Sequence, residues 1–402
     1  MAARGGTPLA GTPSLLRSMN ARAVLECISG AGAIARGDIA SATGLSKQTI
    51  TLALGTLLES GVVVESGRVQ GRTGPAAVQY TVDPRCGFAV GVDIGAQYVR
   101  VAVADIAGTV LADTTGRTRQ RTATLVEQVR QLAARVAEQA GVRLDEVVHT
   151  VVGLPAAIRP DGETLLLGDT LPRAGEGLVP LLRTEIPTPV TVENDINLAA
   201  LGELAAGHGR TVDDFVFLSL GTGPGLGIVI DGRLRRGSSG VAGEIGQIPG
   251  EDWSDGLPEP GRRIDMDRLL SSTTIVAEAR QAGLPAGSTP RDVFAAARSG
   301  DAAARSVVSR LARRTAQLIA AITPLVDPQL VVLGGGIGRN GDLLNGHIED
   351  CLRRAATFAP RVVTTQLGDR AVLVGATEAA RTRAREAAFR AATGVGRATI
   401  DH

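Results

Sequence analysis

The chain has 402 residues, a formal net charge of +1 and 44% apolar residues, enough for two or three folded domains and too balanced for a polycationic binder. Three cysteines (Cys27, Cys86 and Cys351) stand far apart without a CxxC, which argues against a disulfide framework or a zinc knuckle. No apolar run reaches about 18 residues and the start lacks the apolar core of a signal peptide, so the expectation is a soluble, cytoplasmic protein with no membrane partner.

Charge is unevenly placed. Residues 1–82 carry seven basic and four acidic side chains, a balance of +3 that leaves −2 for the rest. Such a split suits a DNA-binding head on a ligand-binding body. Apolar spacing predicts a helix capped by Asn20 and running through Ser29, with Val24, Leu25 and Ile28 on one face. A second helix is expected from Arg36 to Ala42. Gly44 then permits a tight turn, Leu45 plugs the core, and Ser46 caps a helix from Lys47 to about Glu59 with Ile50, Leu54, Leu57 and Leu58 inward. This is helix-turn-helix spacing. Ser46, Lys47, Gln48, Thr49 and Thr51 fall at the start of the last helix, where polar side chains reach base edges. A wing hairpin is expected from Val62–Val64 and the stretch near Val69, turning at Ser66-Gly67. Gly71–Ala77 reads as a linker, with Arg72 either solvated or entering a minor groove.

The body starts after Asp83-Pro84. Phe88–Val92 reads as a buried strand, Asp93-Ile94-Gly95 as a turn and Val99–Ala104 as the return strand. A helix is expected over Thr124–Ala140. Val151–Leu154 reads as a strand before Pro155, followed by a hairpin from Ile158 to Leu167. Val190–Val192 leads into Glu193-Asn194-Asp195 and a helix beginning near Asn197; Asp195 could simply cap that helix. Phe215–Leu220 is a buried strand before Gly221-Thr222-Gly223-Pro224-Gly225-Leu226-Gly227 and a strand at Ile228–Ile230. That glycine run can be an anion cradle or a hairpin that only packs, and Pro224 has no N–H to donate. Leu330–Leu333 and Gly334–Gly338 read as a strand-to-helix turn.

The run Gly237–Gln247 (GSSGVAGEIGQ) resembles the signature of the ROK family, which groups bacterial repressors with sugar kinases. ENDINLAALGE, from Glu193 to Glu203, is similar to that family's ENDANAAALGE. The resemblance covers nearly the whole chain. It implies an α/β fold: an N-terminal winged helix-turn-helix (residues 1–82 with a linker), then a two-lobed actin-like core (residues 83–402). It implies that Asn194, Asp195, Glu244 and Gln247 face a sugar, with Asp195 in the place of the kinase's general base. Asp93, Gly95, Gly221, Thr222 and Gly223 fall in the two phosphate loops. There the family form DIGGT has become Asp93-Ile94-Gly95-Ala96-Gln97, which crowds the space for terminal phosphates.

Other departures matter too. Gln247 replaces a zinc-binding His, and Pro258–Asp267 lacks the family's cysteines, with Asp267 at a sugar-binding Glu position. Thr170 replaces a sugar-binding Asn. The resemblance therefore implies a transcriptional regulator, a repressor without structural zinc and without ATP or Mg²⁺ as cofactor. Its partners would be double-stranded operator DNA and a sugar effector, and it would act as a homodimer or dimer of dimers. An ATP-dependent sugar kinase is the alternative.

Overall fold

Helix α1 (Pro13–Ala31) starts with proline in its first turn, where the missing N–H costs nothing. The computed structural model describes residues 13–69, 76–162, 164–167, 177–248 and 266–394. Asn20 is interior to α1 and not its cap, because Leu15, Leu16 and Met19 continue the helix upstream. Strand β1 (Ile34–Ala35) leads into α2 (Arg36–Thr43), which stops at Gly44 with φ 68°, the left-handed geometry that glycine adopts without strain. Helix α3 (Lys47–Glu59) is capped by Ser46, whose hydroxyl accepts the Thr49 N–H at 3.2 Å.

The hairpin differs from the sequence expectation. Strand β2 (Val63–Val69) runs straight through Ser66-Gly67, which lies at a register shift, and pairs with β3 (Ala77–Val82). The chain therefore does not turn at Ser66-Gly67, and β3 begins at Ala77, the end of the expected linker; residues 70–75, Arg72 among them, lie outside the described residues. The reason is burial: Tyr80 and Val82 alternate onto the core, with Val78 packed partly against it, and β1 adds to the same sheet in the order β1-β3-β2. Val24, Ile28, Ile39, Ile50, Leu54 and Leu57 close this core from the helices.

Two sheets of matching design follow. The first comprises β4 (Phe88–Ile94), β5 (Tyr98–Asp105), β6 (Val110–Arg117), β7 (Val147–Leu154) and β10 (Val190–Asn194), in the order β10-β7-β4-β5-β6. Strands β4, β5 and β6 are antiparallel, and β7 and β10 are parallel to β4. Helix α4 (Thr122–Gln139) and α5 (Leu178–Glu185) belong to this lobe, as does the small hairpin β8 (Ala157–Ile158) and β9 (Leu165–Leu167).

The second sheet has β11 (Phe215–Leu220), β12 (Pro224–Ile230), β13 (Arg233–Arg235), β14 (Leu330–Gly334) and β15 (Arg361–Thr364), in the order β13-β12-β11-β14-β15. It again joins three antiparallel strands to two parallel ones. Its outer face is covered from α7 (Met266–Leu270), α8 (Ser272–Gln281), α9 (Pro290–Arg298), α10 (Ala302–Val326) and α12 (Gly341–Ala355), with the short α11 (Gly335–Gly338) after β14. This repeated mixed α/β topology is the actin-like kinase fold.

Helices α6 (Asp195–Ala206) and α13 (Ala371–Thr393) cross between the lobes. Each leaves one lobe and packs on the sheet of the other: α6 on β11 and β12, α13 on β4, β5 and β7. Their backbones touch at two glycines. A Cβ on Gly375 would overlap the Leu198 carbonyl oxygen, and one on Gly202 would overlap that of Ala371. Beyond the crossing, α13 reaches the N-terminal unit. Glu386 pairs with Arg22, Arg385 donates to the Ser29 hydroxyl, and Phe389 lies under the Arg22 guanidinium, whose central carbon is 5.7 Å from the ring centre. Ala376, Ala380 and Ala384 share one apolar cluster with α1 and α3. Among the described residues no helix is long and apolar enough to cross a membrane.

Gly375→Val should cost about 3 kcal/mol or more, because overpacking at a backbone contact cannot be relieved by a rotamer change. Urea unfolding measures it; a loss below ~1 kcal/mol would show that the crossing tolerates separation.

Candidate functional site

Asn194 ends β10 and caps α6. Its Oδ1 accepts the Asn197 N–H at 2.9 Å and its Nδ2 donates to the Ala156 carbonyl at 3.1 Å. The helix thus starts two residues before the expected Asn197. The capping belongs to Asn194, which leaves Asp195 in the first turn, at the positive end of the helix dipole. Asp195 Oδ1 accepts the Ile196 N–H at 2.9 Å. Burial, then the negative charges of Asp93 and Glu244, push the Asp195 carboxyl up to about 7, against that hydrogen bond.

The opposite wall comes from the second lobe. Strand β12 begins at Pro224, earlier than the sequence suggested, so the loop proper is Gly221–Gly223. The turn holding Glu244 and Gln247 is tied to β12 by the Leu226 N–H, which donates to the Gly243 carbonyl at 3.0 Å. Burial raises Glu244 above the usual carboxylate range. Asp267, on α7, packs against the Cα of Gly223. Asn194, Asp195, Ser219, Thr222, Glu244, Gln247 and Asp267 line one cleft of about 310 Å³, with Ala156, Ala157 and Leu226 as an apolar side. Convergent amide, hydroxyl and carboxylate groups beside a small apolar surface suit a polyhydroxylated ligand. The cleft gathers all four sequence-proposed sugar contacts together with Gly221, Thr222 and Gly223. Thr170 and residues 258–265 lie outside the described residues.

A second chamber of about 200 Å³ adjoins the first and shares Asp195, Ile196 and Ser219 with it. Asp93, Arg100, Gly335 and Asp369 also line it. Gly95, Ala96 and Gln97 do not; they stand at the β4–β5 turn, where the Gly95 N–H donates to the Tyr98 carbonyl at 3.0 Å. Sequence reasoning missed Arg100 and Asp369. Arg100 was findable, since it is the basic residue facing Asp93 once the hairpin register is counted. Arg100 Nη1 donates to Asp93 Oδ2 at 2.9 Å. Burial dominates Asp93 and lifts it to about 6, although Arg100 pulls the other way.

The fold implies a nucleotide with a divalent cation in this chamber. The residues present do not fit one. Of the three carboxylates lining the chamber, Asp93 is the one at the phosphate hairpin, and its Oδ2 is already taken by the Arg100 guanidinium, whose fixed charge opposes a dication at that corner. Among the described residues no three His, Cys, Asp or Glu side chains group as metal ligands. Zinc fits no better: Gln247 stands at the His position, and residues 249–265 contain no cysteine.

A polar bridge joins the lobes. Glu193 accepts from Asn197 Nδ2 at 3.0 Å and from Arg236 Nε at 2.6 Å. Arg236 precedes the Gly237–Gln247 turn, so this ion pair ties β10 to the segment that carries Glu244.

The ROK family profile matches residues 89–383. The chain belongs to the ROK family. Among ROK relatives, the xylose repressor of Caldicellulosiruptor bescii is 24% identical, covering 91% of this chain and 96% of its own length. The Escherichia coli transcriptional regulator NagC is 26% identical over 92% of this chain and 94% of its own. The glucokinase of Streptomyces coelicolor is 31% identical but covers 73% of this chain, and 98% of itself. Among solved structures, a ROK transcriptional regulator homologous to E. coli MLC superposes with a TM-score of 0.78 at 24% identity, over 95% of this chain and all of its own. The Streptomyces griseus ROK glucokinase, solved with glucose and AMPPNP, gives 0.63 at 30% identity, over 74% of this chain and all of its own.

Both Asp93 and Asp195 hold protons above the ordinary carboxylate value of about 4. Between pH ~4 and about 7 these two groups bind more protons in the folded chain than in the unfolded one, so their contribution to stability falls as pH rises through that window, while His149, which burial lowers to about 4, contributes in the opposite direction. Asp195→Asn should flatten the fall, read as urea midpoints at pH 5 and 8; an equally steep fall in the variant would contradict the assignment. Metal analysis of purified protein should return less than stoichiometric zinc, and one zinc per chain would show that the 249–265 segment supplies ligands of another kind.

Proposed function

We propose that the chain is a sugar-responsive transcriptional regulator, a repressor that binds operator DNA through its N-terminal unit. The observation that carries this reading is the unit itself: three helices and a hairpin, with α3 presenting Lys47, Gln48 and Thr51 outward. We take residues 1–82 as a winged helix-turn-helix and residues 83–402 as the effector domain. The repressor relatives support this division, since a match over 91% of the chain has to enter the first 82 residues, whereas the glucokinase match at 73% need not.

On α3, the Ser46 and Thr49 hydroxyls bond each other at 2.9 Å and the Thr51 hydroxyl donates to the Lys47 carbonyl at 2.8 Å. The long side chains of Lys47 and Gln48 are therefore the principal base and phosphate contacts. Leu52, 61% exposed on the same face, suits a thymine methyl. Arg72 remains a candidate minor-groove contact. Two such helices in a homodimer, or in a dimer of dimers, read a palindromic operator.

The effector is a sugar held by Asp195, Glu244 and Gln247, with Asn194 shaping the site as the cap of α6 and offering its remaining amide proton. Closure of the lobes moves α6 against α13, and α13 carries that movement to α1 through Glu386–Arg22 and Arg385–Ser29. A tenfold preference of the sugar for one lobe arrangement supplies about 1.4 kcal/mol of coupling.

A second reading, a sugar kinase, is favoured by one observation: Asp195 lies in the cleft with its carboxyl lifted to about 7, where a general base works best. A coupled ATP-consumption assay over hexoses and amino sugars separates the two, and turnover abolished by Asp195→Asn would establish the kinase.

For the regulator, selection of genomic fragments with and without candidate sugars should recover discrete sites whose occupancy depends on one sugar; no recovered sites under any condition would end the proposal. Gln48→Ala should weaken specific binding by about 1–3 kcal/mol and leave non-specific binding unchanged. Glu244→Ala should abolish the sugar response with DNA affinity retained, measured by fluorescence anisotropy of a labelled operator.

A further inference from the structure

We infer that Arg100 is a built-in counter-ion that stands, in this chain, where a divalent cation would serve the phosphate half of the cleft, so that ligand binding here is independent of metal and nucleotide. The inference concerns the cleft read above as the sugar site, and it does not depend on DNA binding. Four observations carry it.

The pairing is imposed by the backbone. Asp93 and Arg100 are directly opposite in the antiparallel β4–β5 register, so their side chains rise from neighbouring positions on one face. The contact is sheltered and direct: the Asp93 side chain is 5% exposed, that of Arg100 22%, and Nη1 to Oδ2 is 2.9 Å. The guanidinium has a second support, its central carbon lying 5.7 Å from the centre of the Tyr98 ring. Finally, the chamber's other carboxylates each already accept a hydrogen bond. Asp369 accepts from Arg339 at 2.9 and 3.0 Å, and Asp195 Oδ1 is taken by the Ile196 N–H.

Arginine keeps its charge at every relevant pH, so the neutralisation is permanent. A bound Mg²⁺ needs near-octahedral oxygen ligands with one or two carboxylates among them. Here the first carboxylate already faces a fixed positive charge. The chain has therefore exchanged an exchangeable cation for a covalently attached one, by a single side chain in the return strand of the first phosphate hairpin.

The test uses the full chain and Mn²⁺ alone, with free Mn²⁺ followed by electron paramagnetic resonance. Wild type should leave the free signal unchanged up to millimolar metal. Arg100→Ala and the more conservative Arg100→Gln should each bind one Mn²⁺ at least tenfold more tightly than wild type, and adding Asp93→Asn should remove that gain. Arg100→Lys, which keeps the charge, should behave as wild type. Circular dichroism melts confirm which variants are folded, and either neutral variant suffices. Stoichiometric Mn²⁺ bound by wild type and lost in Asp93→Asn would overturn the inference, as would folded neutral variants with no gain. A chain that ignores DNA leaves this result untouched, so the two failures are distinguishable.

Discussion

The contact between α6 and α13 is the constraint on which the rest of the molecule depends. Each helix grows from the last strand of one lobe and packs against the sheet of the other, and the two backbones approach so closely at Gly202 and Gly375 that no side chain fits between them. A joint of this kind resists separation. It also fixes the start of both helices beside the cleft, α6 through Asp195 and α13 through Ala371 and Val372. Glu203, at the far end of α6, is fully buried and bonds the Thr365 hydroxyl and the His208 N–H, locking the joint to the second lobe.

Two neighbouring residues in one motif divide the work at the cleft. Asn194 spends both ends of its amide on structure, one on the helix cap and one on Ala156. That frees Asp195 from capping and aims an acid into a space shared by two chambers. Its electrostatic setting differs from that of Asp93, only one chamber away. Asp93 has a guanidinium in contact, whereas Asp195 has only a backbone N–H and other acids nearby. The first lobe thus neutralises the Asp93 corner from within and leaves the Asp195 corner without a cationic partner among the described residues.

Much of this was legible in local strings. Glycine-punctuated strands, the Ser46 cap and the 3.6-residue stripe of α3 depend on neighbours within a few residues, and the sequence shows those directly. Other features were hidden because their signals are weak or distant. Helix α13 buries mostly small residues and has arginine or glutamate on several faces, so it lacks a strong apolar stripe. Strand β3 has no local signal of its own, because its partner β2 lies across the run of glycines and proline between them. Arg100 looked like an ordinary strand arginine until the hairpin register set it against Asp93.

The sequence by itself determined the family, the two-lobed plan and the polar residues Asn194, Asp195, Glu244 and Gln247 that line the cleft, because these reside in short motifs whose chemistry is fixed by residue type and spacing. Only the tertiary structure decided which of those residues are committed to holding the fold, where the cleft divides, and how α13 links it to the N-terminal unit. Those outcomes depend on contacts between segments hundreds of residues apart, such as Arg22 with Glu386, and on the three-dimensional sum of burial and charge at each carboxylate.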